Sequence, residues 1–299
     1  MVLSLVTITT NISARYSRGA PKGAPFCGNI DNMESVGVII LFFILGATLG
    51  SFACCQAWRI HDKDKSKWSH CEKCKYRLQW YDNIPIISWL MLGGRCRKCR
   101  KPIGWSEFLS EVGLGAVFAL SFWLWPAREA LMWLEFAEVL KFGLFLIELV
   151  LLLILFVHDA KWKELPVGLM IIAGVIAAIF CGVNVFMAYG MGNNFDWLSL
   201  LGALVILPGF YYLMYKVSKE SWVGGGDWML CVPLALILGN FWLAIFALFA
   251  ANIIGSIVSI PILMKKKGIK TAIPFGPFLI LGFLVVFFLQ TQILNLVIV

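Results

Sequence analysis

Two aspartates stand where long apolar runs meet polar segments of the chain. Asp159 follows the apolar run 134–157, and Asp227 stands immediately before the run that begins at 228. A carboxylate at the edge of a membrane-length segment is energetically costly, so it is a candidate functional residue. Two facing carboxyl groups can share one proton, so that one acts as a base on water while the other acts as an acid. The sequence therefore predicts a catalytic pair formed by Asp159 and Asp227.

Three consecutive glycines, Gly224, Gly225 and Gly226, lead into Asp227. Because glycine has no Cβ, this stretch permits unusual dihedral angles and the close approach of another chain. We expect the glycines to let a substrate strand approach Asp227. A glycine loop followed by an aspartate that caps a helix is equally compatible with the pattern. His158 has no evident Ser or Cys partner, and we interpret it as an interfacial residue.

Four cysteines form two C-x-x-C pairs, Cys71 with Cys74 and Cys96 with Cys99. This spacing predicts a tetrahedral zinc site with four thiolate ligands, which leaves no open position for catalysis. The segment 58–105 is too short to bury a large core, so a metal would close its fold. Unpaired reduced thiols and a redox role are the alternatives, and no thioredoxin-like pattern supports the second.

The composition indicates a polytopic membrane protein. Of 299 residues, 60% are hydrophobic and 14% are charged, whereas about 25% of residues are charged in ordinary globular chains. The net charge of +8 comes from short loops between apolar runs, which favours a topology signal over a nucleic-acid-binding face. Nine cysteines, an odd number, argue against a secreted disulfide framework.

The predicted fold is all-α, with about eight transmembrane helices and a small cytoplasmic loop domain between the first two. Small residues at Gly46 and Gly50, and at Gly113 and Gly115, would suit close helix packing. The apolar runs of spanning length are 37–57, 107–126, 134–157, 166–188, 197–215, 228–247, 248–264 and 275–298.

The basic residues predict the orientation of these spans. Alternation through eight spans places four loops on one side, and these loops hold 20 of the 25 Lys and Arg residues. Under the positive-inside rule that side is cytoplasmic, and it carries both Asp159 and Asp227. The loops are 58–105, 158–165, 216–227 and 265–274.

The ordered motifs resemble those of the type IV prepilin peptidases, membrane aspartyl proteases with a G-x-G-D motif. The resemblance extends over residues 46–282 and includes the cysteine-bearing segment 71–102. The matching pieces are Gly50-Ser51-Phe52 with Arg59, Asn83-Ile84-Pro85, Ser88-Trp89-Leu90, Gly94-Arg95-Cys96-Arg97, Asp159 with Pro166, Gly224-Gly225-Gly226-Asp227, and Ile273-Pro274-Phe275-Gly276-Pro277-Phe278.

The chain departs from the family pattern at several positions, and neither aspartate is among them. Cys54 stands where the family usually has Asn, and Glu72 stands where it usually has Pro. Ser106-Glu107-Phe108 replaces the usual Arg-Tyr-Pro, and Val167 stands where an Asp is common. The opening motif and the loop are implicated in the family's N-methylation, so these departures bear on that second activity.

The resemblance implies an aspartic endopeptidase of the bacterial inner membrane. Its substrates would be type IV prepilins or the pseudopilins of type II secretion, whose basic leader it removes at the cytoplasmic face. It would then methylate the new N-terminus with S-adenosylmethionine as methyl donor. Arg59, Arg95 and Glu111 are candidates for a substrate or methyl-transfer role, and no residue is assigned to S-adenosylmethionine.

Together these features predict four regions. Residues 1–36 would form a disordered N-terminal extension, in which Met33 is an alternative start. Residues 37–57 would form the first transmembrane helix, 58–105 a cytoplasmic zinc-binding domain, and 106–299 the transmembrane aspartyl peptidase core. A peptidase without methyltransferase activity is one alternative function. An ion-coupled membrane transporter and a non-catalytic zinc-containing scaffold are two others.

Overall fold

The apolar runs fold into helices in the computed structural model, which describes residues 30–63, 68–71, 73–219, 224–265 and 273–298. Within these residues there are eleven α-helices and one 3₁₀ turn (Trp80–Asp82), and no β-strand beyond two isolated bridges. The helices are α1 (Ile30–Asp62), α2 (Ile87–Met91), α3 (Trp105–Trp123), α4 (Arg128–Met132), α5 (Phe136–Trp162), α6 (Val167–Gly190), α7 (Trp197–Ser218), α8 (Gly225–Leu238), α9 (Phe241–Lys265), α10 (Gly276–Phe288) and α11 (Gln290–Ile298).

In the described part of the chain, five helices are long and apolar enough to cross a membrane, namely α1, α5, α6, α7 and α9. Helices α10 and α11 meet the same test as a pair, but they are bent by 69° at the break between them. The structure therefore supports five spans, or six if this bent pair counts as one. The all-helical membrane fold is confirmed, whereas the count of eight spans is not.

The predicted division of residues 228–264 is wrong. The break falls at Gly239, which has φ 57° and ends α8, and the chain then continues as one long helix from Phe241. With 14 residues, α8 is about 21 Å long, which is short of the roughly 30 Å hydrocarbon core. The predicted run 107–126 is helical as α3, but its two glutamates and several serines leave it outside the set of candidate spans.

Helix α1 begins at Ile30, and the part of it that is long and apolar enough to cross a membrane is Val36–Asp62, which contains the predicted span 37–57. The rest of the predicted N-terminal extension and Glu72 lie outside the described residues.

Two compact units are present, and one of them comprises Pro21–Trp125 and Leu149–His158. In this unit α1 and α3 pack closely through small residues. A Cβ on Gly46 would lie 2.6 Å from the Leu114 carbonyl oxygen, and a Cβ on Gly115 would lie 2.9 Å from that of Phe43. Gly50 makes a similarly close approach to the backbone of Ser110. Gly113 has open space around it, so the small-residue prediction is confirmed for three of its four glycines.

The other unit includes Pro126–Glu148 and Asp159–Val299. Its core joins α5 to α10 through Phe145 and Phe287, whose rings stack with centroids 4.2 Å apart. Helices α9 and α10 approach closely at Gly282, where a Cβ would lie 2.6 Å from the Ala251 nitrogen. This packing brings the end of α5 and the starts of α8 and α10 into one region.

Candidate active site and metal centre

Asp159 lies near the C-terminal end of α5, where it is only 5% exposed. Its Oδ2 accepts a hydrogen bond of 2.9 Å from the backbone N–H of Gly276, at the start of α10. A Cβ at position 276 would lie 2.7 Å from the same oxygen. Glycine at this position therefore lets the backbone approach the carboxyl group of Asp159.

Asp227 is the third residue of α8 and is 7% exposed. Its Oδ2 accepts a hydrogen bond of 3.0 Å from the backbone N–H of Gly224, the N-cap residue. A side chain at N3 that bonds back to the N-cap is half of a capping box. The alternative with Asp227 itself as the N-cap is therefore wrong, although its carboxyl group does stabilise the start of the helix.

The three glycines before Asp227 have different surroundings. A Cβ at Gly226 would lie 2.8 Å from the Leu165 Cβ, and one at Gly225 would lie 3.3 Å from the Tyr215 ring. Packing inside the protein therefore explains the absence of a side chain at these two positions. At Gly224, which is exposed, a Cβ would meet only the carboxyl group of Asp227, at 3.6 Å. Of the three, Gly224 leaves the most open approach to Asp227.

The fold brings the two aspartates together, and their carboxyl groups are close enough to interact electrostatically. Among the described residues, neither carboxyl group forms a salt bridge. Asp159 instead accepts one backbone N–H, from Gly276, and Asp227 accepts one from Gly224. Two buried acids that interact electrostatically without a salt bridge to a cation suit proton sharing better than a structural ion pair.

Sequence reasoning gave no site role to three residues of this region: Gly276, which it placed only in a family motif, Tyr211 and Asn252. Gly276 opens an apolar run and is followed by Pro277, a pattern that marks a helix start but gives no sign of contact with Asp159. Tyr211 and Asn252 lie inside apolar runs and are joined by a hydrogen bond. His158, predicted to be interfacial, is buried in the protein, with its ring 5.9 Å from that of His61.

The four predicted zinc ligands converge on one point. The sulfur atoms of Cys71, Cys74, Cys96 and Cys99 all lie within 4.8 Å of one another. The Cys71–Cys99 and Cys74–Cys96 sulfur pairs are each 3.9 Å apart. A tetrahedral ion with Zn–S bonds of about 2.3 Å requires sulfur–sulfur distances of about 3.8 Å. The cluster therefore fits a four-coordinate metal ion of this size.

Both cysteine pairs sit on the same type of turn. The N–H of Lys75 bonds to the Cys71 carbonyl, and the N–H of Arg100 bonds to the Cys96 carbonyl. Lys75 and Arg100 have φ of 55° and 56°. Burial raises the pKa of the Cys96 thiol, but hydrogen bonds from the backbone of Cys99 and Lys98 outweigh it and lower the pKa to about 7. At Cys96 these N–H groups favour the thiolate that a metal requires.

The aromatic segment between the cysteine pairs packs partly on α3. Trp89 lies with its ring 4.8 Å from that of Trp105 and 4.7 Å from that of Phe108. Trp80 and Met91 remain exposed. The sequence left open whether this segment lies on the helix bundle or on the membrane surface. The contact of Trp89 with α3 places this residue on the helix bundle.

The other candidate residues lie in the same unit as the cysteines. Glu111 is buried and accepts a hydrogen bond of 2.6 Å from the backbone N–H of Ile86, a residue with φ 64°. Glu111 therefore anchors the segment between the cysteine pairs. Cys54 is buried, and its thiol donates to Glu107 Oε1 at 3.9 Å. Arg59 is half-buried on α1 and Arg95 is exposed.

Comparisons with known proteins identify the family. Residues 44–125 match the model of the bacterial peptidase A24 N-terminal domain, and residues 146–260 match that of the type IV leader peptidase family. A prepilin leader peptidase/N-methyltransferase of Vibrio cholerae is 27% identical over 266 residues, covering 84% of this chain and 96% of the relative. One from Legionella pneumophila is 29% identical, covering 81% and 82%.

One further relative is similar enough to assign the chain to a family. The type 4 prepilin-like proteins leader peptide-processing enzyme of Escherichia coli is 30% identical over 226 residues, covering 74% of this chain and 76% of the relative. No solved structure matches the chain significantly. With two family models matching and a relative 30% identical over 74% of its length, the chain belongs to the type IV leader peptidase family.

Proposed function

We propose that this protein is a membrane aspartic endopeptidase that removes the basic leader from type IV prepilins or pseudopilins and then N-methylates the new N-terminus. The observation that carries the proposal is the arrangement of Asp159 and Asp227. In a chain of this family, two buried acids from different helices interact with each other, and neither forms a salt bridge within the described part of the chain. The names of the relatives support both the cleavage and the methylation.

Asp159 and Asp227 would perform the hydrolysis as a pair that shares one proton. The ionised carboxylate takes a proton from water, and the water oxygen bonds to the scissile carbonyl carbon. The neutral carboxyl group gives its proton to the carbonyl oxygen, which stabilises the tetrahedral intermediate. Collapse of the intermediate breaks the C–N bond: the carboxyl group that took the proton from water gives it to the leaving amine, and the other carboxylate takes a proton back from a hydroxyl of the intermediate.

Gly224 is our candidate for the point where the substrate strand passes Asp227. It is exposed, and a Cβ there would meet only that carboxyl group. Gly225 and Gly226 would support the approach indirectly, because their own contacts hold α8 against Tyr215 and Leu165. We place both aspartates on the cytoplasmic side, because alternation through eight spans puts their loops on the same side as the 58–105 loop, and the four loops on that side hold 20 of the 25 Lys and Arg residues.

The four-cysteine cluster would hold a structural zinc ion. The cluster uses four protein ligands, which leaves the ion no open position for a water or a substrate. The ion would therefore stabilise the segment 58–105 and take no part in hydrolysis.

For methylation, S-adenosylmethionine would supply the methyl group to the neutral amine. Glu111, Arg59 and Arg95 remain our candidates for orienting the substrate in that step, with Glu111 acting through the segment that it anchors at Ile86.

The proposal is tested by changing each aspartate to asparagine. We expect Asp159→Asn and Asp227→Asn each to lower the rate of prepilin cleavage by at least about 100-fold, since an amide cannot transfer the shared proton. Asp196→Asn is the matched control. Asp196 caps α7 by accepting the Ser199 N–H at 3.1 Å, and asparagine caps a helix equally well. Near wild-type cleavage by either active-site variant would show that the pair is wrongly assigned.

The methylation is tested separately by mass spectrometry of the product N-terminus, with and without S-adenosylmethionine. We expect a product heavier by one methyl group only when the donor is present. A product that is cut but never methylated at saturating donor would restrict the function to the peptidase.

A further inference from the structure

Helix α2, in the segment between the cysteine pairs, has an exposed apolar face. Ile87, Leu90 and Met91 are spaced so that they lie on one side of the helix, and they are 55%, 58% and 82% exposed. Trp89 points to the other side, where its ring packs on Trp105 and Phe108 of α3. One side of α2 therefore holds the helix to α3, and the other side is left uncovered by the described residues.

This exposed surface continues onto α3. Trp105 and Leu109 are one turn apart on that helix and are 65% and 61% exposed. Because the Trp105 ring also meets Trp89, the exposed surfaces of the two helices adjoin at this point. We call the five exposed residues of α2 and α3 the apolar edge, namely Ile87, Leu90, Met91, Trp105 and Leu109.

The packing of α3 on α1 gives the depth of the apolar edge. Gly50 of α1 lies against the backbone of Ser110 on α3, and the Cys54 thiol reaches Glu107. Going up α1 therefore corresponds to going down α3, so the two helices are antiparallel. The same register places Trp105 level with about the second residue after Cys54.

The uncharged part of α1 ends close to this level. No charged residue occurs from Val36 to Trp58, a stretch about 34 Å long, which slightly exceeds the roughly 30 Å hydrocarbon core. Trp105 and α2 thus lie within about one helical turn of the point where hydrocarbon gives way to lipid headgroups. Tryptophan is enriched at this depth.

The segment that contains α2 is strongly basic. Residues 58–105 hold twelve Lys and Arg and four Asp and Glu, so this segment has a net charge of +8, equal to that of the whole chain. Arg95, Lys98, Arg100 and Lys101 follow α2 and are exposed. A basic cluster beside a membrane attracts anionic headgroups, whereas it would repel the basic leader of the proposed substrate.

We propose that the apolar edge inserts among the lipids at the membrane surface, and that the basic residues of the segment bind anionic headgroups there. The four-cysteine cluster is then held on the membrane and does not project away from it. Trp89 attaches α2 to the helix bundle, and the opposite face of α2 attaches the segment to lipid. This inference goes beyond the proposed peptidase function and does not depend on it.

The test places a photo-crosslinking amino acid at Leu90 of the full-length protein, in vesicles of phosphatidylethanolamine and phosphatidylglycerol. Ile44, 54% exposed on the membrane-spanning α1, is the lipid-contacting reference, and Lys73, exposed on the first cysteine turn, is the control. Mass spectrometry measures the yield of lipid adducts. We expect a yield at Leu90 at least about 10-fold above that at Lys73, because burial of one Leu side chain shifts an equilibrium by that factor or more.

A change of lipid tests the role of charge. Replacing phosphatidylglycerol with phosphatidylcholine should lower the yield at Leu90 at least about 5-fold, the effect of one Lys or Arg beside an anionic surface. The yield at Ile44 should stay the same, since that residue contacts lipid whatever its headgroup. Equal yields at Leu90 in the two lipid mixtures would reject the anionic surface.

Two other results would overturn the proposal. One is an equal yield at Leu90 and Lys73, and the other is an adduct with a second copy of the chain, or with added prepilin, in place of lipid. A probe at Met91 repeats the measurement if the Leu90 variant folds poorly, which thermal unfolding would reveal. None of these readouts uses prepilin cleavage, so a failure here is distinct from a failure of the proposed function.

Discussion

Each of the two carboxyl groups that we propose as catalytic is buried with the help of a single backbone N–H. Burying a carboxyl group without a hydrogen bond costs several kcal/mol. Gly276 supplies that bond to Asp159 and Gly224 supplies it to Asp227. Both donors are glycines at helix starts, where backbone N–H groups have no partner within the helix. The sites of both acids therefore depend on helix ends that meet inside the protein.

Gly276→Ala should impair catalysis without unfolding the protein. The added Cβ would lie 2.7 Å from Asp159 Oδ2, so the carboxyl group must move and its hydrogen bond must lengthen. We expect the cleavage rate to fall at least about 10-fold, the effect of about 1.4 kcal/mol on the transition state. Gly168→Ala on α6 is the control, since a Cβ there meets no atom within 4 Å. Equal rates for the two variants would contradict the close contact.

Cys54→Asn tests whether the departure at this position limits methylation. Cys54 is buried, and its thiol donates a long bond of 3.9 Å to Glu107 Oε1. An asparagine amide is of similar size and is a stronger donor. We expect the variant to methylate as fast as the wild type or up to about 10-fold faster, as one added hydrogen bond allows. Cleavage should stay unchanged, and a loss of methylation measured by mass spectrometry would refute the expectation.

At the scale of elements, the cysteine-bearing segment has little secondary structure of its own. Its described residues form one 3₁₀ turn, the five-residue α2 and two matching turns around the cysteines. Asp82 and Arg97 add a salt bridge of 2.7 Å between the two halves, and Glu111 anchors Ile86. With so few interactions, a bound metal would contribute most of the folding free energy of this segment.

We therefore expect about one zinc ion per chain in protein purified without chelators. Cys99→Ser should lower the zinc content and make the segment 58–105 sensitive to proteases, because it removes one of four ligands. Cys55→Ser is the matched control. Cys55 is a free cysteine outside the four-sulfur cluster, and its thiol lies 3.9 Å from the Ser69 hydroxyl. Elemental analysis that finds no zinc in the wild type, or the same loss in both variants, would rule out this site.

At the scale of the whole molecule, two of the apolar runs are interrupted. The first break, at Gly239, follows the short helix α8, and the second separates α10 from α11. The sidedness inferred from charge used eight uninterrupted spans, so it remains a prediction. Discontinuous helices are tolerated in membranes where neighbouring protein satisfies the freed backbone groups. Asn240 does this at the first break, since its side chain accepts the backbone N–H groups of Trp242 and Leu243.

The predicted sidedness can be measured with alkaline phosphatase, whose disulfides form only outside the cytoplasm. A fusion after Gly192, between α6 and α7, should be active. A fusion after Lys219, beyond α7, should be inactive, because the excess of Lys and Arg puts that loop inside. The opposite pair of activities would place the aspartates on the outer face.

The sequence by itself determined the chemistry of this protein. Apolar runs of membrane length lower their free energy only as helices in lipid, and the spacing of four cysteines suits one tetrahedral ion. Asp159 and Asp227 are lone acids at the ends of such runs, and this position made them candidate catalytic residues, because an acid is rarely retained there without a function.

The tertiary structure decided which partners these residues have. The sequence separation between Asp159 and Gly276 is 117 residues, and no local pattern encodes a contact of that range. The same holds for Tyr211 and Asn252, which appear in the sequence as polar exceptions within apolar runs. The breaks in the helices were also unpredictable in position, since both halves of each run are apolar and hydropathy alone does not resolve a turn between them. Local composition determines helices and candidate acids, whereas the packing of distant helices determines the hydrogen bonds that position them.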